Sequence, residues 1–433
     1  MITAVTSRRR GAWIPIVAGL GASALLLTGC SAGGDNTAGA KEFTYLSFTE
    51  NTAIAETLTS LSTGACKAEN DALPLKVTNQ PQASYDQQLQ LLAGQKALPS
   101  LFASGNTPQI AKDLTESGQL VNIGEALTDL GVSDAILPAA GTAINSLYGS
   151  DIGIPTELNI EGIWYNKTIL ADNNVTPPTT WDELVDAAAT VQTAGVTPFA
   201  AAGKDGWPLT RLVGSYIYRT VGPDALQAVA DGDAKLTDPE YVAAADAVAE
   251  LGAQGYFGEG VGSIDYATAA NAFLSGSAAF FYMGSWALSD FNDPEKATIG
   301  SENIGFIPFP NIAGGAGSSD QVGANVGVPL AMSQNTYDDN SAAWLKCIAE
   351  NFGQESLSAQ GVLTGLKVNG DVEVPPLTAQ VQDTIAATET SVLWFEALLN
   401  AQATTTSQTN AGQLVTGAIT GTEFMELVQA DLG

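Results

Sequence analysis

Histidine is absent from all 433 residues of this chain. That absence removes the commonest general base, the Ser-His-Asp and Cys-His nucleophile systems, and the usual zinc ligand sets. Cysteine is nearly as scarce: only Cys30, Cys66 and Cys347 occur, with no Cys-x-x-Cys pair. Positive charge is short as well, with 16 Lys and Arg against 46 Asp and Glu for a net −30. Nucleic-acid binding rests on basic side chains neutralising phosphates, so this balance excludes it. The excess acid reads as a solvated surface that keeps the chain soluble. Long apolar runs are missing beyond the N-terminal region. The most apolar later stretch, AAFFYMGSWAL (Ala278 to Leu288), has 11 residues, whereas a membrane span needs about 20. It suits a buried strand.

What is present begins with Arg8, Arg9 and Arg10, an apolar segment from about Trp13 to Leu27, and the stretch LLLTGCSAGG. A basic start, an apolar middle and small residues at the end are the parts of a secretory signal. Leu27-Thr28-Gly29-Cys30 resembles the bacterial lipobox, which implies lipidation of the Cys30 sulfur and cleavage just before it. The alternative is an ordinary signal peptide with an incidental cysteine. Residues 30–40 are small and polar and read as a flexible tether. Cleavage before Cys30 leaves 404 residues with 13 basic and 46 acidic side chains, a net −33. That length is enough for two domains, and 45% hydrophobic residues mark a folded chain. Cys66 and Cys347 could form a disulfide in an oxidising exterior. Cys347 also shares an apolar helical stripe with Trp344, Ile348 and Phe352, which suits a buried free thiol. Both readings stay open.

Strand-like and helix-like segments alternate along the chain. EFTYLSF (42–48) and PLKVTNQ (74–80) show period-2 patterning, with a helix expected from about Thr52 to Cys66 between them. SYDQQLQLLAGQ places Tyr85, Leu89 and Leu92 on one helical face with Gly94 as a stop, and PSLFASGN reads as a strand entering a loop. This β-α-β-α series predicts sheets with helices on both faces. Thr180 and Glu183 form a capping box for a helix closed by Gly195. Asp238 and Pro239 open another. AAFFYMG and IGFIPFP read as strands, and Asn311 to Gly327, rich in glycine, as a long loop without phosphate-binding spacing. A helix is expected over Ser341 to Phe352. The tail from Pro375 is expected to be helical, interrupted by the polar AQATTTSQTNAG.

GIPTELNIEGIWYNKTILADNNVTPPTTWDELVDAAATVQTAGVTPFA (153–200) resembles the central signature of extracellular solute-binding proteins family 1, the sugar-binding lipoproteins of ATP-binding-cassette importers to which maltose-binding protein belongs. YDQQLQLLAGQKALPSLFASG, FLSGSAAFFYMGSWAL and SVLWFEALL resemble, in family order, the segment before the first cleft loop, the strand-to-helix turn of the second lobe and the aromatic helix near the C-terminus. The matches span about residues 41 to 433. Ser100 departs from the family, which often carries Asp there. The resemblance implies an α/β, two-lobed periplasmic-binding-protein-like fold (type II), each lobe a sheet flanked by helices with the ligand cleft between them. It places the first lobe at 41–150 plus 325–374 and the second at 151–324 plus 375–433.

Sugars present flat C–H faces and rims of hydroxyls. Exposed aromatic faces suit the first, and hydrogen-bonding side chains the second. By the resemblance, Trp286 in MGSWAL and Trp394 in SVLWFEALL are stacking residues, each with core burial as its alternative. Trp207, after Gly206 in a loop, is either a contact residue or a support. Trp164, Trp181 and Trp344 read as structural. The polar candidates lie at strand ends: Glu50, Asn51, Asn106, Glu157, Asn159 and Asn325, with Asn159 standing where maltose-binding proteins carry an acid. For each, a solvated loop residue is the alternative.

The expected activity is capture of a sugar or oligosaccharide by hinge closure and delivery to a membrane permease, by a lipid-anchored monomer on the outer face of a bacterial cell membrane. No catalysis, cofactor or metal is expected. Basic side chains are scarce in these loops, which disfavours anionic ligands. The alternatives are a binding protein for a cation such as a polyamine, a lipid-anchored glycoside-acting enzyme using paired carboxylates, and a sensor that reports to a receptor.

Overall fold

The computed structural model describes residues 41–388 and 390–433. The expected signal, Cys30 and the whole of the tether lie outside the described residues. Among the described residues, ten strands sort into two sheets: β1 (Phe43–Phe48), β2 (Leu75–Gln80), β3 (Leu101–Ala103), β4 (Asn159–Asn166), β5 (Thr197–Ala200), β6 (Ala278–Gly284), β7 (Ile304–Pro308), β8 (Gln321–Asn325), β9 (Leu330–Met332) and β10 (Thr390–Val392).

The first lobe is built on the sheet ordered β2-β1-β3-β9, with β1 parallel to β2 and β3, and β9 antiparallel to β3. FTYLSF is buried at almost every position, as a strand covered on both faces must be. Its edge neighbour β2 alternates half-buried and exposed residues. The second lobe is built on the sheet ordered β10-β8-β4-β6-β5. One edge of β4 is shared in sequence: Asn159 to Glu161 pair with β8, and Gly162 to Asn166 with β7. The first lobe's core takes residues from Phe43 to Ile154 and again from Val326 to Leu366. The second lobe's two cores run from Ile160 to Val428.

Three segments cross between the lobes side by side. Ile154 bridges to Leu330, Gly365 N donates to Pro155 O at 2.9 Å, and Leu158 N donates to Leu363 O at 2.9 Å. Cys66 and Cys347 are joined in a disulfide, which answers the question the sequence left open. It ties the corner after the Ala53–Thr63 helix to the Asp339–Gln360 helix, inside the first lobe.

The capping box at Thr180 and Glu183 is present. Asp238 does not cap: its carboxylate accepts from Lys235 N instead, and Pro239 opens the helix without a side-chain cap. Three further expectations are corrected. The stretch 311–327 is not all loop, because QVGAN pairs with β4 and β10 as β8. AQATTTSQTNAG does not interrupt a helix but forms one, Ala401–Val415, capped by Asn400. Its buried positions are small (Ala403, Thr404, Ser407, Ala411, Gly412) until Leu414 and Val415 at its end, so most of it packs closely on other helices without a visible apolar stripe. SVLWFEALL is not a helix: it ends β10 and then turns over 395–398, with Trp394 just before the turn and Glu396 in it. The helix expected at Ser341 to Phe352 runs further, over Asp339–Gln360.

Candidate functional site

An opening of about 820 Å³, including space open to solvent, lies where the lobes and crossing segments meet. Two glycines make its aromatic wall possible. β6 ends at Gly284, and the chain turns back so sharply that a Cβ there would stand 2.0 Å from the Trp286 ring. Ser285 pins this turn to β4, accepting from Ile160 N at 3.1 Å and donating to Asn159 Oδ1 at 3.2 Å. Gly206 has φ +75°, and a Cβ there would lie 1.8 Å from Gln408 O. Only glycine lets the Trp207–Thr220 helix begin so close to the Ala401–Val415 helix. Trp207 is therefore the first residue of a helix rather than a loop residue. Its ring centre is 5.8 Å from that of Trp286 and 5.9 Å from that of Tyr266.

Arg211 stands one turn after Trp207 on the same helix face. Its Cζ lies 5.1, 5.5 and 5.7 Å from the ring centres of Trp207, Trp286 and Trp394. Nη1 donates to Glu161 Oε1 at 2.6 Å. Nε is 3.8 Å from Glu396 Oε2, too long for a hydrogen bond, and both atoms are buried without a partner. Thr210 donates to the other Glu396 oxygen. Trp207 Nε1 is also buried and unpartnered. Trp394 is half-buried and packs against the core of the first lobe.

The crossing segments carry a continuous polar chain. Asn325 donates to Glu161 Oε1 at 2.9 Å, and Asn159 donates to Glu157 Oε2 at 3.1 Å and to Asn325 Oδ1 at 3.5 Å. Asn51, from the first lobe, donates to Glu157 Oε1 at 2.7 Å. Burial pushes the Glu157 carboxyl above its ordinary range, and the bonds from Asn51 and Asn159 oppose this. Burial also raises Glu396, against the pull of Arg211. On the first lobe, Glu50 accepts from Gln82 N at 2.9 Å and is raised by burial, with the charges of Asp205 and Asp265 adding to the effect. Asn106 is held by Asp86 and by the side chain and carbonyl of Gln82. Among the described residues, no group of three or more Cys, Asp or Glu is placed to hold a metal ion.

Of the residues singled out from sequence, Glu50, Asn51, Asn106, Glu157, Trp207, Trp286, Asn325 and Trp394 all line the opening. Asn159 does not. It is 1% exposed and stands behind the wall, joining Glu157, Asn325 and Ser285. Trp164, Trp181 and Trp344 are buried, as read from sequence. Phe48, Gln82, Arg211, Tyr266, Glu396 and Gln408 also line the opening and were missed. Two of them left a signal: an arginine in the otherwise apolar WPLTRLV, and an acid in the apolar LWFEALL.

A model of the family described as "Bacterial extracellular solute-binding protein" matches residues 55–355. An uncharacterized ABC transporter extracellular-binding protein of Pyrococcus horikoshii is 24% identical over 226 residues, 50% of each chain. A probable sugar-binding periplasmic protein of Rhizobium meliloti is 25% identical over 208 residues, 46% of this chain and 49% of that one. The chain thus spans about half the length of these curated relatives. Among solved structures, a chitin oligosaccharide binding protein superposes with TM-score 0.78 at 24% identity, covering 90% of this chain and 98% of that one. A protein described in a study of xylan utilization by Caldanaerobius polysaccharolyticus superposes with TM-score 0.79 at 24% identity, covering 90% and 100%. At these identities the likeness is one of fold, and it is the two-lobed fold expected from the sequence.

Proposed function

The chain belongs to the bacterial extracellular solute-binding proteins, and from that membership we propose that it captures a sugar or oligosaccharide between its lobes and delivers it to the permease of an ATP-binding-cassette importer. The observation that carries this reading is the convergence of Trp207, Trp286 and Trp394 with the amides of Asn51, Gln82, Asn106, Asn325 and Gln408 in one opening. Flat C–H faces meet the indoles, and hydroxyls meet the amides and carboxylates. The moving bodies are residues 41–150 plus 325–374 and residues 151–324 plus 375–433, turning about the three crossing segments. Cys30 carries a lipid anchor, residues 1–29 are removed, and the mature monomer works on the outer face of the membrane. Binding and release require no catalytic step.

The carboxylates of the cleft favour a second reading, a cationic solute such as a polyamine. One screen separates the two. The chain from residue 31 is melted with mono- and oligosaccharides, spermidine and glycerol 3-phosphate. A ligand at about 100 times its Kd adds about 2.7 kcal/mol of stability. A raised Tm with one sugar family and no product formed supports transport. A shift with spermidine alone, or hydrolysis of a glycan, overturns it.

A further inference from the structure

The cleft contains what a cation-binding site needs, and the chain fills it with a cation of its own. Three indole rings stand within 5.7 Å of one point, and two buried carboxylates, Glu161 and Glu396, face that point. Aromatic faces at this distance attract a positive charge, and do so most strongly where water is excluded. The point is occupied by the Arg211 guanidinium, whose side chain is only 15% exposed. Neutralising Glu161 would require one salt bridge at a wall, not three indoles around it. Nor is the fit to Glu396 complete, since Nε and Oε2 face each other at 3.8 Å without bonding.

We propose that Arg211 is the specificity-determining residue of the cleft: a resident cation that occupies an aromatic cage and so closes the site to cationic solutes. This rests on the reading that solutes bind in this opening. With Arg211 in place, an incoming amine or quaternary ammonium meets a fixed like charge and finds the best-placed indole faces already covered. A neutral polyhydroxylated ligand does not meet the like charge, because hydroxyls can accept from the guanidinium and donate to a carboxylate, and its C–H faces need only the parts of the indoles that still line the opening. The acidity of the cleft therefore does not translate into cation binding. The exclusion arises from a repulsive element as much as from any attraction to the correct ligand.

The test uses the soluble chain from residue 31, with choline and spermidine as probes in titration calorimetry. The unsubstituted protein is expected to bind neither. Arg211→Met empties the cage while keeping an apolar stem, and it is expected to gain affinity for choline by about tenfold or more over the unsubstituted chain. Adding Glu161→Gln to that variant removes part of the gain. Arg211→Lys retains a resident cation and is expected to go on excluding both probes. If the near-UV circular dichroism of Arg211→Met departs from the parent, Arg211→Gln carries the same comparison, since its amide can still reach Glu161. A well-folded variant that gains no cation affinity overturns the proposal, as does a parent chain that already binds spermidine as tightly as the variant. The sugar screen run on the parent keeps the two readings apart. Sugar binding with no cation gain removes only the role of Arg211. A cation gain with no sugar bound by the parent removes the sugar reading and leaves the cage.

Discussion

The two lobes meet at one opening but contribute different chemistry, although each mixes apolar and polar groups, with Phe48 on the first and Gln408 on the second. The first brings Glu50, Asn51, Gln82 and Asn106, polar groups on loops and at a helix start, already braced by one another and by Asp86. The second brings Trp207, Tyr266 and Trp286 with Arg211, mounted on a helix and on the end of a buried strand. Trp394 reaches the same group from just before the turn that follows β10 while packing against the first lobe's core. The way each lobe is held together differs too. The first is stapled by Cys66–Cys347. The second relies on helices in backbone contact, as where Gly206 abuts Gln408 and Gly252 abuts Val415. The division suggests an order of events: broad, non-directional stacking on the second lobe, then directional bonds from the first as it closes.

The largest test of that contrast is one of stability. Replacing Cys66 and Cys347 together by serine should cost about 5 kcal/mol, since the bridge closes a loop of 281 residues and the loop-entropy cost grows with that length. Differential scanning calorimetry should show the loss in the first lobe's unfolding. Equal weakening of both lobes would show that the staple serves the whole molecule. Next comes binding. Trp286→Ala should cost about 3 kcal/mol, a hundredfold or more in Kd for whichever sugar binds. Asn51→Ala should cost about 1–2 kcal/mol by leaving a Glu157 oxygen unpaired. Calorimetric titration ranks the two, and a larger loss at Asn51 would reverse the proposed division of labour.

The smallest effect is in pH. The Glu157 carboxyl is raised above its unfolded value by burial, so the stability it contributes is present at low pH and is lost as pH rises through the unfolded value towards the raised one. Glu157→Gln should remove that decline. Its Tm relative to the parent should be higher at pH 7 than at pH 5, and a difference that does not change with pH would assign the carboxylate no such role.

Much of this arrangement was legible in the residues. The strand ends were visible because turn chemistry follows apolar runs, and so Glu50, Asn106, Glu157 and Trp286 could be placed. What escaped depended on packing between distant segments. Arg211 belongs to a helix whose start is fixed by contact with a carbonyl some 200 residues later, Gln408 O. Up to its last turn the Ala401–Val415 helix hides its inward face in small residues, so that stretch of sequence reads as polar. Asn159 was correctly placed at a crossing, but pairing with β8 turns its side chain to the polar chain behind the wall and not to the opening. A one-residue difference in strand register decides which face a side chain takes, and register is not written in a single strand.

The distribution of tryptophan carries one more consequence. Six lie among the described residues. Trp164, Trp181 and Trp344 are buried away from the opening, while Trp207, itself largely buried, Trp286 and Trp394 surround one guanidinium at the opening. A solute entering there changes the surroundings of half the indoles and leaves the other half as an internal standard. The protein thus carries its own optical reporter, and its ultraviolet emission should follow occupancy in real time without a dye, a label or a coupled assay.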